Sequence, residues 1–251
     1  MNKLELKANK KALIGFLTAG DPSLEKTKEF MKVMVKAGVD VIEIGIPFSD
    51  PVAEGPVVQS ANVRALSTPK GCTPRMVLEA IGEVRKEIPV PIVVYTYLNP
   101  VYNYGYDEFC AKCNAVGVDS LLIPDLPYEE KAELEEIAKK YNVSLMAQIS
   151  TESGDRIPKI AADAEGYLRL ITTIDQNPKT TEAIVKKAKE YTDVPVLIEI
   201  GIGALHHAKE YCDFVDGIIV GNEFVAMIGD YGDNAAPFIE MLVRTKLDEI
   251  N

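Results

Sequence analysis

The sequence predicts an α/β protein of one domain, a (β/α)8 barrel over residues 1–251, and three observations carry that expectation. Eight strand-like apolar runs recur along the chain, and Lys/Glu-rich stretches of helical period separate them. No Gly/Ser-rich linker, low-complexity tract or shift of composition divides the chain. Strands that are apolar on both faces and joined through helices pair in parallel with right-handed crossovers. Eight such units suit a closed ring, although an open doubly wound sheet of similar size also satisfies the pattern.

The elements follow in order. The first run, "ALIGFLTAG" from Ala12, ends in the turn pair Asp21-Pro22, and "SLEKTKEFMKVMVKAG" then opens on a capping serine and closes on glycine. "VIEIGIPF" from Val41 leads into a long loop, Ser49 to Gly55. "RMVLEAIGEVRKEI" is helical and precedes "PIVVYTYLN" from Pro91, which ends at Asn99. "SLLIPDL" from Ser120 contains Asp125, and "YEEKAELEEIAKKYN" leads to "SLMAQIS" from Ser144. "YLRLIT" from Tyr167, the helical "TTEAIVKKAKEY", "PVLIEIGIG" from Pro195 and "DGIIVGN" from Asp216 complete the series. In a barrel the chemistry sits at the carboxyl ends of the strands, where Asp21, the Ser49 to Gly55 loop, Asn99, Asp125, Gly201, Gly203, Gly221 and Asn222 all fall.

Composition removes several classes of function. A chain that is 47% hydrophobic and 26% charged has an ordinary globular make-up, and a net charge of −11 without any cluster of five or more Lys/Arg argues against a nucleic-acid surface. The N-terminus lacks the pattern of a cleaved leader, and no apolar run approaches the ~18 residues of a membrane span, so a cytoplasmic protein without membrane contact is expected. Cys110 and Cys113 lie three apart in a helical pattern and have no second pair, so they read as packed thiols and not as half of a metal or redox site. His206 and His207 are neighbours whose side chains diverge on a helix, and no metal site is expected.

Glu43 interrupts the apolar run Val41, Ile42, Ile44, Ile46, and Glu54 returns toward it after the loop. A buried carboxylate needs a partner, a hydrogen bond or a proton. Desolvation would raise the pKa of Glu43 and let it both give and take a proton near neutrality, whereas the structural alternative is an acid satisfied by backbone or by an arginine. Gly201, Gly203 and Gly221 end strands just before helices, which fits either tight turns or a phosphate cradle of backbone N–H groups. Their spacing does not continue as a dinucleotide fingerprint. None of the runs carries a lysine for a Schiff base, and two adjacent histidines cannot build a metal-dependent aldolase. Proton transfer by carboxylates remains.

The stretch "IEIGIPFSDPVAEGPVVQSAN" resembles the signature of the tryptophan synthase α-subunit family. "GFLTAGDP", "YTYLNPVYNYG", "GVDSLLIPDLP" and the glycines near Gly201 and Gly221 extend the similarity, in order, over nearly the whole chain. The resemblance implies a barrel without its own cofactor that splits indole-3-glycerol phosphate into indole and glyceraldehyde 3-phosphate by a retro-aldol reaction. It further implies a separate β subunit that receives the indole, in an α2β2 heterotetramer. On this resemblance Glu43 is the general acid/base, Glu54 holds the ring N–H where the family carries Asp, and Phe16 and Tyr97 line the indole pocket. The backbones of Gly201, Gly221 and Asn222 match the phosphate cradle.

Some positions depart from the family. "TTIDQNPKTT" lacks the glycines of the family's sixth loop, Asn177 stands near the family Thr, and Pro178 has no N–H to donate. Asn222 replaces a Ser. Arg169 stands where the family places a pocket aromatic, and Glu199 where it places a small residue. Arg169 is expected either to pair with Glu199 across neighbouring strands or to face the substrate phosphate. These departures leave two alternatives beside the enzyme: a catalytically weakened subunit that binds and activates a β chain, and another phosphosugar-binding barrel lyase or isomerase.

Overall fold

The computed structural model describes Leu6 and residues 10–69, 71–172, 177–200 and 208–251. The first half runs β1 (Ala12–Thr18), α1 (Leu24–Ala37), β2 (Val41–Gly45), α2 (Pro56–Leu66), α3 (Pro74–Val84), β3 (Ile92–Tyr95), α4 (Leu98–Tyr104), α5 (Tyr106–Val116) and β4 (Ser120–Leu122). The second half runs α6 (Ala132–Lys140), β5 (Ser144–Leu145), β6 (Ala147–Ser150), α7 (Ile157–Ala162), β7 (Leu168–Ile171), α8 (Pro178–Lys189), β8 (Val196–Ile200), α9 (Ala208–Cys212), β9 (Gly217–Val220), α10 (Asn222–Tyr231) and α11 (Ala236–Ile250).

Every pairing is parallel, and the strands follow the order β5-β4-β3-β2-β1-β9-β8-β7-β6. The two ends of that order, β5 and β6, are consecutive in the chain and separated only by Met146. The ring therefore closes through a covalent connection, and the expected fifth run is one strand broken in two. Met146 donates its N–H to Leu121 O at 2.8 Å and turns its side chain into the interior cluster, in step with the outward-packed Leu145 and Ala147, and the break marks where the chain leaves its pairing with β4 and takes up β7.

Two apolar layers result. Ile14, Phe16, Val93, Leu122, Leu197 and Ile219 fill the barrel interior, while Phe30, Met34, Leu78, Phe109 and Val243 join the strands to the outer helices. Strands buried on both faces are what the continuous apolar runs require. Close approach of β9 to β1 depends on Gly217, where an added Cβ would stand 2.3 Å from Ala12 O. The end of α1 shows the local rules at work: Ser23 accepts the Lys26 N–H at 3.2 Å, and Gly38, at φ 118°, donates to Met34 O and Val35 O. Cys110 and Cys113 are both fully buried on α5, as packed thiols.

Candidate active site

Glu43 is the middle residue of β2 and is fully buried. Its inward direction follows from strand parity, since its register partners Phe16 on β1 and Val93 on β3 belong to the interior cluster. Two groups hold the carboxylate. The Tyr167 hydroxyl donates to Oε1, and the Arg169 guanidinium donates to Oε2. Tyr167 and Arg169 lie two residues apart on one face of the β7 segment, so a single strand delivers both.

The other terminal nitrogen of Arg169 meets Glu199 Oε2 at 2.8 Å, on the neighbouring strand β8. Of the two roles expected for Arg169, the pairing with Glu199 is thus present, and Glu43 joins it as a third member. Arg169 is only 3% exposed. Burial by itself would lower its pKa, but the carboxylates of Glu199 and Glu43 outweigh burial and hold it well above the usual arginine value. Its Nε has no hydrogen-bond partner, and its Cζ sits 5.4 Å from the centre of the Tyr95 ring.

From Tyr95 a file of aromatic rings runs toward the loop. Phe16 meets Tyr95 edge-on at 5.5 Å, Tyr95 meets Tyr97 edge-on at 6.3 Å, and Tyr97 stacks on Phe48 at 5.3 Å. Phe16 can approach because Gly45 lacks a side chain; a Cβ there would stand 2.8 Å from Phe16 Cζ. Gly221 meets the other side of the same residue, where a Cβ would stand 3.3 Å from Phe16 Cβ.

Glu54 lies on the loop above this file. The loop is held by Ala53 N–H donating to the Tyr97 hydroxyl at 3.0 Å, and by Phe48 N–H donating to the buried Asn62 Oδ1 at 2.9 Å. Burial pushes the Glu54 carboxyl up to about 7, opposed in part by the hydroxyls of Tyr97 and Tyr95. Its Oε2 is buried without a partner. The two acids are therefore connected through Tyr95 and Arg169. Helix α2, which follows the loop, is anchored in turn by Arg64, whose fork grips Asp21 at 2.9 and 2.7 Å.

At the other end of the cleft, Gly221 precedes α10 and Asn222 opens it, so the first backbone N–H groups of a ten-residue helix are available for an anion. Gly201, with Gly203, His206 and His207, lies outside the described residues, as do residues 173–176 of the loop after β7. Asn177 and Pro178 have a structural role: Asn177 Oδ1 caps α8 by accepting the Lys179 N–H at 2.9 Å, and Pro178 fills the first helical position. Among the described residues no group of three or more His, Cys, Asp or Glu is arranged to hold a metal.

Sequence reading overlooked Tyr95, Tyr167, Phe48 and Glu223. For the first two the signal was available, because each precedes an expected site residue, Tyr97 or Arg169, by two positions and shares its face. Glu223, in the first turn of α10, is buried with both carboxylate oxygens unpaired, and burial raises its pKa. Nothing in its sequence context distinguished it from a solvated helix residue.

Comparison with known proteins places these features in a family. The model of the tryptophan synthase alpha chain family matches residues 2–248. The chain is 38% identical to the tryptophan synthase alpha chain of Lacticaseibacillus casei, over 97% of this chain and 94% of that protein. It is 36% identical to that of Bacillus cereus strain G9842, over 98% and 97%. Among solved structures, tryptophan synthase subunit alpha from Legionella pneumophila superimposes with a TM-score of 0.88 at 31% identity, covering 96% of this chain and 92% of that one. A chain of the tryptophan synthase α2β2 complex of Pyrococcus furiosus gives 0.85 at 31% identity, covering 96% and 98%.

Proposed function

The chain belongs to the tryptophan synthase alpha chain family, a lyase component of tryptophan synthase, and on that basis we propose that Glu43 carries a retro-aldol cleavage of indole-3-glycerol phosphate. The products are indole and glyceraldehyde 3-phosphate. The observation that supports this reading best is the position of Glu43, inside a ring of parallel strands and beneath a file of aromatic rings.

The cleavage needs one proton delivered to ring carbon C3 and one removed from the hydroxyl on the attached carbon. The C–C bond then breaks, its electrons return to the ring, and the hydroxyl carbon leaves as an aldehyde. A carboxyl next to both atoms serves both transfers. Glu54, as carboxylate, accepts the ring N–H and offsets the positive charge that C3 protonation creates. Phe16 and Tyr97 flank the flat ring, and the first N–H groups of α10, at Gly221 and Asn222, receive the phosphate together with Gly201. Arg169 contributes from beneath the ring through Glu43. This chain needs no cofactor for those steps.

The family implies a β partner, and the proposal extends to an α2β2 assembly in which indole is handed to that subunit. Val52, in the loop that carries Glu54, is 79% exposed, and Tyr102 on α4 is 70% exposed; both suit a docking face near the cleft mouth. No helix among the described residues is long and apolar enough to cross a membrane. The proposal keeps the cytoplasmic location expected for a biosynthetic enzyme.

The test is indole release from indole-3-glycerol phosphate, with and without a β subunit. The expected outcome is a low rate alone, stimulation by the partner, and a loss of about 10²-fold or more in Glu43→Gln. An unaffected Glu43→Gln protein would assign the proton transfers elsewhere. One observation favours a second reading, a weakened subunit retained to activate its partner: Arg169 already occupies the carboxylate of Glu43. That reading requires no indole release even in the complex, together with faster β-subunit turnover.

A further inference from the structure

We propose that Arg169 is a positioning residue whose guanidinium is shared between Glu43 and Glu199, so that Glu199 retains the cation whenever Glu43 takes up a proton. The inference rests on the reading of Glu43 as proton carrier and assigns a task to two residues, Arg169 and Glu199, that depart from the family pattern.

The geometry supplies the argument. One terminal nitrogen of Arg169 donates to Glu43 Oε2 and the other lies 2.8 Å from Glu199 Oε2, so a planar fork spans two carboxylates on two strands. A buried arginine facing Glu43 alone would fix that acid as a carboxylate, because protonating it would leave an unpaired charge in the interior. With Glu199 present the cation keeps a partner. Glu199 is suited to this role because its side chain is 29% exposed, which leaves its other oxygen able to meet water, whereas Glu43 is fully buried. The Tyr95 ring beneath the guanidinium holds it in place through either state.

Among the described residues, groups on four strands face Glu43 or its guanidinium partner. β7 presents Arg169 and, just before it, Tyr167; β8 presents Glu199 behind the guanidinium; β3 presents Tyr95; β1 contributes the uncharged Phe16. Glu54, on the loop, also feels Glu199 and Arg169, so a rate profile alone would mix the two acids. Glu43 must be read through its own carboxyl.

The full chain is labelled with [δ-¹³C]glutamate, the Glu43 resonance is assigned by its loss in Glu43→Gln, and its titration is followed in three proteins. Relative to the parent, Arg169→Gln is expected to move the midpoint up by about one unit or more, and Glu199→Gln to move it down by about half a unit. The pH profile of kcat/KM for indole release should move in the same two directions. A purely structural role for the trio would lower stability or rate in both variants without opposite movements of the Glu43 midpoint. Movements of the same sign, or none, overturn the proposal. Should Arg169→Gln fail to fold, Glu199→Gln decides alone: a downward movement supports the inference, and an upward one or none removes it. If the parent releases no indole under any condition, the reaction assignment fails, and the carboxyl titration still decides whether Arg169 is shared as described.

Discussion

The Tyr97 hydroxyl accepts a 3.0 Å hydrogen bond from the backbone N–H of Ala53, tying the loop that carries Glu54 to the segment just after β3. The same ring stacks on Phe48, at the start of that loop, so one side chain fixes it at two points. Tyr97→Phe keeps the stack and removes the tether. The expected outcome is a several-fold loss of kcat/KM for indole release, with the unfolding free energy lowered by about 1 kcal/mol. Steady-state kinetics and urea unfolding check both, and an unchanged kcat/KM would separate loop order from catalysis.

Removing one member of the buried ion pair should cost more than removing both. Arg169→Met leaves Glu43 without its counter-charge in the interior, for an expected loss of about 3–5 kcal/mol. The double variant Glu43→Gln/Arg169→Met should recover a large part of that loss. Equal destabilisation in the single and double variants, measured by denaturant unfolding, would mean that packing and not charge sets the cost.

Glu54 makes stability depend on pH in a defined window. Burial raises its pKa in the folded chain from about 4.5 to about 7, so between those values the folded state binds the proton more tightly than the unfolded state. The stabilisation is fully present below pH 4.5 and is lost as pH rises through about 7. Glu54→Gln has no such group. The urea midpoint should therefore fall less between pH 5 and pH 8 in Glu54→Gln than in the parent, and identical falls would place the carboxyl in solvent.

Gly45 sets the position of the innermost ring. Gly45→Ala places a methyl group 2.8 Å from Phe16 Cζ, and the ring must tilt into the cleft or drive the strands apart. The expected result is a rise in KM for indole-3-glycerol phosphate, relieved in Gly45→Ala/Phe16→Leu. Persistence of the defect in the double variant would point to strain in the backbone of β2.

Much of this protein is legible in its sequence because the relevant forces are local. Apolar runs separated by helical stretches, a serine and a glycine bracketing α1, and an acid set within an otherwise apolar strand follow from periodicity, backbone preference and the cost of burying charge. They establish the alternating fold and single out Glu43 and the loop acid Glu54, whereas the inward direction of Glu43 comes from strand register. The family signature around Pro47 to Pro56 adds the reaction to that outline.

What only the tertiary structure decided is how distant side chains share space. Glu43 and Arg169 are 126 residues apart in the chain, and no local pattern could show that they meet, or that Tyr167 completes the site. The break at Met146 likewise marks a change of pairing partner, from β4 to β7, which no single strand encodes. The physical reason is one of range: secondary structure and burial respond to neighbours along the chain, whereas charge pairing inside a barrel depends on strand register and on which residues the closed ring turns inward.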